Sequence, residues 1–369
     1  MTLSTPLLAA APLIAGLMGP AILGAVPGQQ QADRPAAALP AAGRTHTSAI
    51  PETGRAPRAG QVVEHVAARD DAEQRRVLDY WTPRRMAAAL PIDLLDSVTG
   101  AGGLLSGLTG DAGLRAAPHL TGGRTAVGLP RRHRTSARPV APTIGSRWNT
   151  GGAVTKTTGR VFLTLAGADF VCSASTVKSA NRDLVVTAGH CVKDGPGEWA
   201  ENWTFVPGYA TGGAQPYGQY AARRMFVAEP WSRGGQDDYD IGMVALATSG
   251  GRHAADVVGA QDIAFNARRG GQAFGFGYPA DPPYDGDHLV YCAGRLRDDP
   301  YKQTRDQGLG CDMTAGSSGG PWMTVFDPAT GRGTITSLSS FKYSDDQRTM
   351  YGPYFGDAAR NLYTAAARA

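Results

Sequence analysis

Gly316-Ser317-Ser318-Gly319-Gly320-Pro321 sets a serine among glycines, and two stretches upstream supply what such a serine needs. Thr187-Ala188-Gly189-His190-Cys191 offers an imidazole, and Asp240-Ile241-Gly242 a carboxylate at the head of the apolar run Met243-Val244-Ala245-Leu246. A serine hydroxyl is a poor nucleophile at neutral pH, so it needs an imidazole within hydrogen-bond reach. The imidazole in turn needs a carboxylate to fix its tautomer and stabilise its charged form. Glycines around Ser318 let the backbone turn tightly, so that the N–H groups of Gly316 and Ser318 can face a developing oxyanion. These are the parts of an acyl-transfer site.

The order of the parts separates unrelated folds. Gly316 to Gly320 also satisfies G-x-S-x-G, the nucleophile elbow of α/β-hydrolases, but there the histidine follows the serine. Here the last histidine is His288. A subtilisin order would put the acid first; Asp169 and Asp183 precede His190 but carry no supporting motif. Asp237 and Asp238 read as a polar loop, whereas Asp240 directly precedes the apolar run. The order His190, Asp240, Ser318 remains.

With that order the chain resembles the chymotrypsin-like serine proteases, over residues 148 to 365. Phe276-Gly277-Tyr278-Pro279, Cys311-Asp312-Met313-Thr314 and Tyr351-Gly352-Pro353-Tyr354 resemble their bacterial secreted branch, the one related to glutamyl endopeptidases. The resemblance implies an all-β fold of two six-stranded antiparallel β-barrels with a C-terminal helix, and a peptide or protein substrate. It makes His190 the general base, Asp240 its orienting acid and Ser318 the nucleophile. The N–H groups of Gly316 and Ser318 form the oxyanion hole, and no cofactor or metal is needed.

Composition agrees. Beyond about residue 135, β-branched and aromatic segments such as Arg160–Leu165, Leu184–Thr187 and Thr334–Leu338 alternate with Gly, Pro, Asn and Asp, a barrel or sandwich pattern. The stretch from Asp357 to Ala367 reads as a short helix. The formal charge of +4 belongs to the leading segment: residues 1–134 hold 14 Arg against 10 acids, and residues 135–369 hold 22 of each sign. No basic patch with interleaved aromatics follows, so nucleic acid is not an expected partner.

Four cysteines allow three connectivities. The resemblance favours Cys172 with Cys191, clamping the segment of His190, and Cys292 with Cys311, bracing the approach to the nucleophile loop. Each such loop contributes on the order of 3 kcal/mol in the chain-entropy model. A zinc site lacks paired C-x-x-C spacing. Disulfides imply an oxidising compartment.

The leading segment reads as targeting and pro-sequence. Residues 3–26 are uncharged and rich in Leu, Ala and Ile, like the apolar core of a secretory signal ending near Gly28, although no Lys or Arg precedes them. Pro6, Pro12 and Pro20 interrupt the run, which argues against a stable membrane anchor. Residues 29–134 then form a propeptide and linker. Gln61 to Tyr80 shows helical spacing, with Val62, Val63, Val66, Val77 and Leu78 on one face, and Thr82-Pro83 starts a second helix. Glycine from Thr99 to Leu129 is too frequent for a packed core, so this part is expected to be disordered. The basic run Arg131-Arg132-His133-Arg134 offers an activating protease a cutting site, with maturation between 131 and 147. The protease domain is then 135–369, its first barrel about 150–255 and its second about 256–355.

Two departures bear on activation and specificity. The family's usual acid before the nucleophile, which pairs with a new N-terminus, is here Ser317. The stretch Thr336-Ser337-Leu338-Ser339, matched to the wall of the specificity pocket, lacks the histidine of glutamyl endopeptidases. Thr336, Ser337 and Ser339 are pocket candidates, and the missing histidine leaves the family's glutamate preference without its usual support. Asp312 is a candidate either for hydrogen-bonding its own loop or for binding Arg or Lys side chains. Histidines 253 and 288 sit in polar contexts and read as solvated. The sequence thus describes a secreted serine endopeptidase made as a zymogen. The competing readings are a catalytically silent binding protein on the same scaffold, and an esterase using the same site.

Overall fold

The computed structural model describes residues 60–92 and 144–369. The leader, the glycine-rich stretch and the Arg131–Arg134 run expected above lie outside the described residues.

The elements run β1 (Val62–Val66), α1 (Asp71–Tyr80), α2 (Pro83–Ala88), β2 (Leu90–Pro91) and β3 (Ser146–Arg147), followed by two groups of strands. In the first, β4 (Thr158–Leu165), β5 (Ala168–Thr176), β6 (Leu184–Thr187), β7 (Glu201–Pro207), β8 (Tyr220–Ala228) and β9 (Gly242–Leu246) close on themselves. β4 pairs with β5, β5 with β6, β6 with β9, β9 with β8, β8 with β7 and β7 again with β4, every pair antiparallel. This is a six-stranded barrel. Its strands are rich in β-branched and aromatic residues, which suit a pleated surface buried on both faces, and β4, β6 and β9 are buried throughout.

The second group forms two sheets. One has the order β10 (Asp262–Ile263), β16 (Arg332–Leu338), β15 (Pro321–Asp327), β11 (Gln272–Gly277), β12 (Val290–Arg295), β3. The other runs β13 (Arg297–Asp298), β14 (Gln307–Gly310), β18 (Asp346–Gly352), β17 (Phe341–Tyr343). Between them lies a core of Ala273, Val290, Leu296, Leu309, Met313, Trp322 and Met350, crossed by the disulfide Cys292–Cys311. The other disulfide, Cys172–Cys191, joins β5 to the turn after β6. The C-terminal helix Asp357–Ala366 buries Ala359, Leu362 and Ala366. Its end is tied to the first barrel where Asn181 Nδ2 donates to the carbonyls of Ala366 and Ala369.

The expected helix over Gln61 to Tyr80 is corrected: its first part is a strand. Val62 and Val63 are β-branched, and β8 offers an open edge where Val62 to Val66 pair with Ala228 to Arg224. The helix begins only after Asp70, whose side chain accepts from the N–H groups of Ala72 and Glu73, while Glu73 accepts from Arg69 N–H in return. Asp70 thus satisfies two of the free N–H groups at the helix start, and Glu73 reaches back one residue beyond the cap. The helix expected from Thr82-Pro83 is present, with Thr82 as its cap.

Candidate active site

β6 and β9 are neighbours with Thr187 opposite Gly242, so the residues just past one end of β6 and just before the start of β9 meet. His190 follows β6 and Asp240 precedes β9. The two Asp240 oxygens are used separately: Oδ1 accepts from the His190 backbone N–H at 2.8 Å, and Oδ2 faces His190 Nδ1 at 2.8 Å. An ionised carboxylate only accepts, so Nδ1 carries the proton and Nε2 is the ring's acceptor nitrogen. Ser340 Oγ donates to Oδ2 as well. Asp240 is 2 % exposed. Burial works to raise its pKa, but the His190 charge and the hydrogen bonds from His190 and Ser340 outweigh burial and hold the carboxyl below its ordinary range. Gly189 packs closely on this pair: a Cβ there would lie 2.9 Å from Asp240 Oδ1 and 3.0 Å from the Trp231 indole.

The nucleophile loop precedes β15 and presses on the same turn. A Cβ on Gly319 would lie 2.1 Å from Thr187 Oγ1 and 2.7 Å from Ala188 N, so glycine, at φ +80°, lets the loop approach the histidine segment. Cys191 Sγ lies 3.7 Å from the Ser318 carbonyl oxygen. Ser173, on β5, ties the loop from the other side. Its N–H donates to Ser318 O at 2.7 Å and its Oγ to Gly316 O at 2.9 Å.

The directions of the Gly316 and Ser318 N–H groups follow from peptide planarity. Ala315 O accepts from Ala280 N–H at 2.7 Å and Ser317 O from Gly320 N–H at 2.9 Å. In a trans peptide the C=O and N–H point in opposite directions, so these two bonds aim the N–H groups of Gly316 and Ser318 away from Ala280 and Gly320. Neither N–H has an acceptor among the described residues. Gly316 sits at φ +91°. Ser317, in place of the family's acid, is spent on its own loop: its Oγ donates to Thr314 O at 2.7 Å.

The specificity candidates are placed as follows. Asp312 Oδ1 accepts from Gly145 N–H at 2.7 Å and from Tyr284 OH at 2.6 Å, so its carboxylate secures the segment entering β3. Thr336, Ser337 and Ser339 are all buried. Ser337 Oγ donates to Pro353 O, and Ser339 Oγ accepts from Trp322 Nε1, so these hydroxyls face protein. His253 and His288, expected to be solvated, are paired instead. His253 Nδ1 contacts the buried Asp183, whose other oxygen accepts from Ala254 N–H, and His288 Nδ1 lies 3.0 Å from Asp285. Asp183 is thus taken by His253, and Asp169 by Tyr80 and Arg85, which disposes of the subtilisin order.

Sequence reading missed Ser340 and Ser173, which lie outside the three motifs, and a set of acids beside Asp240. Burial, with Asp240 and Asp238 nearby, pushes Asp237 up to about 6. Asp306 is 0 % exposed, neither of its carboxyl oxygens has a hydrogen-bond partner among the described residues, and burial with Asp238, Asp237 and Asp240 nearby pushes it up to about 9. The ligand atoms of Cys172, His190 and Cys191 lie within 4.8 Å of one another. Both sulfurs are bonded to each other and the His190 Nδ1 faces Asp240, so this trio is not a free donor set for a metal.

A trypsin family model matches residues 149–354, more than half of the chain. The chain belongs to the trypsin family. It is thereby a serine endopeptidase by class, a hydrolase with the chymotrypsin-like fold. Among solved structures it is similar to the protease Anisep from Arthrobacter nicotinovorans, at 40 % identity and TM-score 0.57, over 60 % of this chain and 99 % of that one. It is also similar to AL20, a thermostable serine protease from an extremophilic microorganism, at 38 % identity and TM-score 0.55, over 59 % of this chain and 100 % of that one. A curated relative, the extracellular metalloprotease of Bacillus subtilis (strain 168), is 37 % identical over 71 residues, which are 19 % of this chain and 22 % of that protein.

Proposed function

We propose that this trypsin-family chain is made as a precursor, acts outside the cell, and cleaves peptide bonds through Ser318, His190 and Asp240. The observation that carries the reading is the division of Asp240 between the His190 backbone and ring, with the Ser318 loop packed on the same turn. In this account Ser318 Oγ attacks a peptide carbonyl carbon while His190 Nε2 takes its proton. Asp240 stabilises the imidazolium, and the N–H groups of Gly316 and Ser318 bind the oxyanion, each such donor worth about 3 kcal/mol. As the tetrahedral intermediate collapses, the C–N bond breaks and His190 gives its proton to the leaving amine. Water then attacks the acyl-enzyme with His190 again as base, releasing the acid and free Ser318.

Export is supported by the two disulfides and by the extracellular naming of the B. subtilis relative. Among the described residues no helix is long and apolar enough to cross a membrane. Processing between residues 131 and 147 is supported by the solved relatives, whose whole chains match 60 % and 59 % of this one. With Ser317 in place of an acid, the new N-terminus has no carboxylate beside the nucleophile to pair with. The natural partners are then a protein or peptide substrate and a protease that cuts the linker. N-terminal sequencing of the exported protein, together with turnover of a peptide amide and the matching ester, tests this. A start between 132 and 148 with amide cleavage is expected; a start before residue 100, or ester turnover alone, would count against it.

A further inference from the structure

Residues 60–92 precede the part matched by the trypsin family model, yet they are built into the first barrel. The barrel has two thin seams. On one edge of β8, β7 pairs only at Tyr220 and Ala221, and Arg224 to Ala228 on that edge are taken by β1. On β5, β6 pairs only at Ser175 and Thr176, and Phe170 and Val171 are taken by β2. Left open, such edges present unpaired N–H and C=O groups. Further backbone bonds extend the first seam at both ends: Glu229 N–H donates to Gln61 O at 2.9 Å and Ala67 N–H to Arg223 O at 3.0 Å.

Between the two strands, α1 and α2 seal an apolar face. Trp81 is 2 % exposed, lies 5.5 Å from Phe162 on β4, and donates its indole N–H to the Asn202 carbonyl. Met86 and Ile92 are also buried. At the rim Tyr80 OH donates to Asp169 at 2.7 Å, and Arg85 reaches the same carboxylate at 3.1 Å while lying over the Tyr80 ring. His65 stacks on Trp199 at 5.1 Å. A segment held by strand addition on two edges and a buried tryptophan between them is bound as a peptide ligand is bound.

We propose that this face of the first barrel is a peptide-binding surface for residues 61–92 of the same chain, and that it retains them as a separate subunit once the linker is cut. The inference is independent of the catalytic reading, because any protease acting on the linker serves to test it. A site for a specific protease is placed between residues 105 and 120 of the full chain carrying Ser318→Ala, and the cut protein is examined by native mass spectrometry and gel filtration. The fragment containing 60–92 is expected to travel one-to-one with the fragment containing 144–369, and the amides of Arg224 to Ala228 to stay protected from hydrogen exchange. Arg85→Ala with Tyr80→Phe, both on the rim, is expected to weaken retention at least tenfold without unfolding the body; Trp81→Ala should abolish it. Separation of the fragments at micromolar protein, with the melting temperature of the body unchanged, would overturn the proposal.

Discussion

Ser173 Oγ donates to the carbonyl of Gly316 at 2.9 Å, and the same oxygen accepts from Tyr278 N–H at 2.9 Å. One side chain of the first barrel therefore fixes the peptide that follows Gly316, one of the two proposed oxyanion donors. Removing the hydroxyl frees Gly316 O but leaves the Ser173 N–H bond to Ser318 O in place. Ser173→Ala is expected to lower kcat about fivefold, in line with about 1 kcal/mol for a neutral hydrogen bond, with KM within twofold. Steady-state kinetics on a peptide anilide measures this.

Asp240 holds the His190 ring in one tautomer, and an amide in its place can present an N–H to Nδ1 instead. Asp240→Asn is expected to lower kcat by about 10⁴-fold with the fold intact. Ser340→Ala removes one donor to Oδ2 but leaves both His190 bonds, so its loss is expected to be nearer tenfold. If the two variants lost equal activity, Asp240 would not be acting through the tautomer.

Asp306 makes a stability prediction with a definite sign. Its carboxyl, pushed from 3.8 in the free side chain up to about 9 by burial and by Asp238, Asp237 and Asp240, keeps a proton in the native state that the unfolded chain releases. Stability therefore falls as pH rises from about 4 towards about 9. Asp306→Asn removes that dependence. It is expected to melt at least 2–4 °C above the parent at pH 8, roughly 1 kcal/mol for a domain of this size, and level with it below pH 4. Thermal melts of both proteins across that range check it.

Asp312 is committed to Gly145 N–H and Tyr284 OH. Asp312→Asn is expected to cost about 1–2 kcal/mol of stability, since one of two donors to a charged acceptor is disturbed. A panel of peptide substrates should show no preference for Arg or Lys that depends on residue 312. A basic preference lost on substitution would return Asp312 to the specificity pocket.

The all-β class, the neighbourhood of His190 and Asp240, and the Gly319 approach were legible in the sequence, because β-branched runs, the order of the three motifs and a glycine that sterics require can all be read along the chain. The first group of strands closes as a six-stranded barrel, whereas the second forms two sheets. Val62 to Val66 misled because their spacing also fits a helix face, and only the open edge of β8, formed by residues more than 150 positions away, decides for a strand. Ser173, Ser340 and Asp306 were illegible for the same reason. Their roles arise from contacts across the fold, and nothing in their local sequence marks them. Asp183 and His253 show the converse: polar residues in loop-like stretches find each other only after folding.

The central claim is that Ser318 is the activated nucleophile. Mass spectrometry of the processed protein after treatment with a fluorophosphonate, beside Ser318→Ala and His190→Ala, tests it most directly. The account predicts one adduct, on Ser318, absent from both variants. A folded, processed protein that takes no adduct, or takes it on another residue, would contradict it.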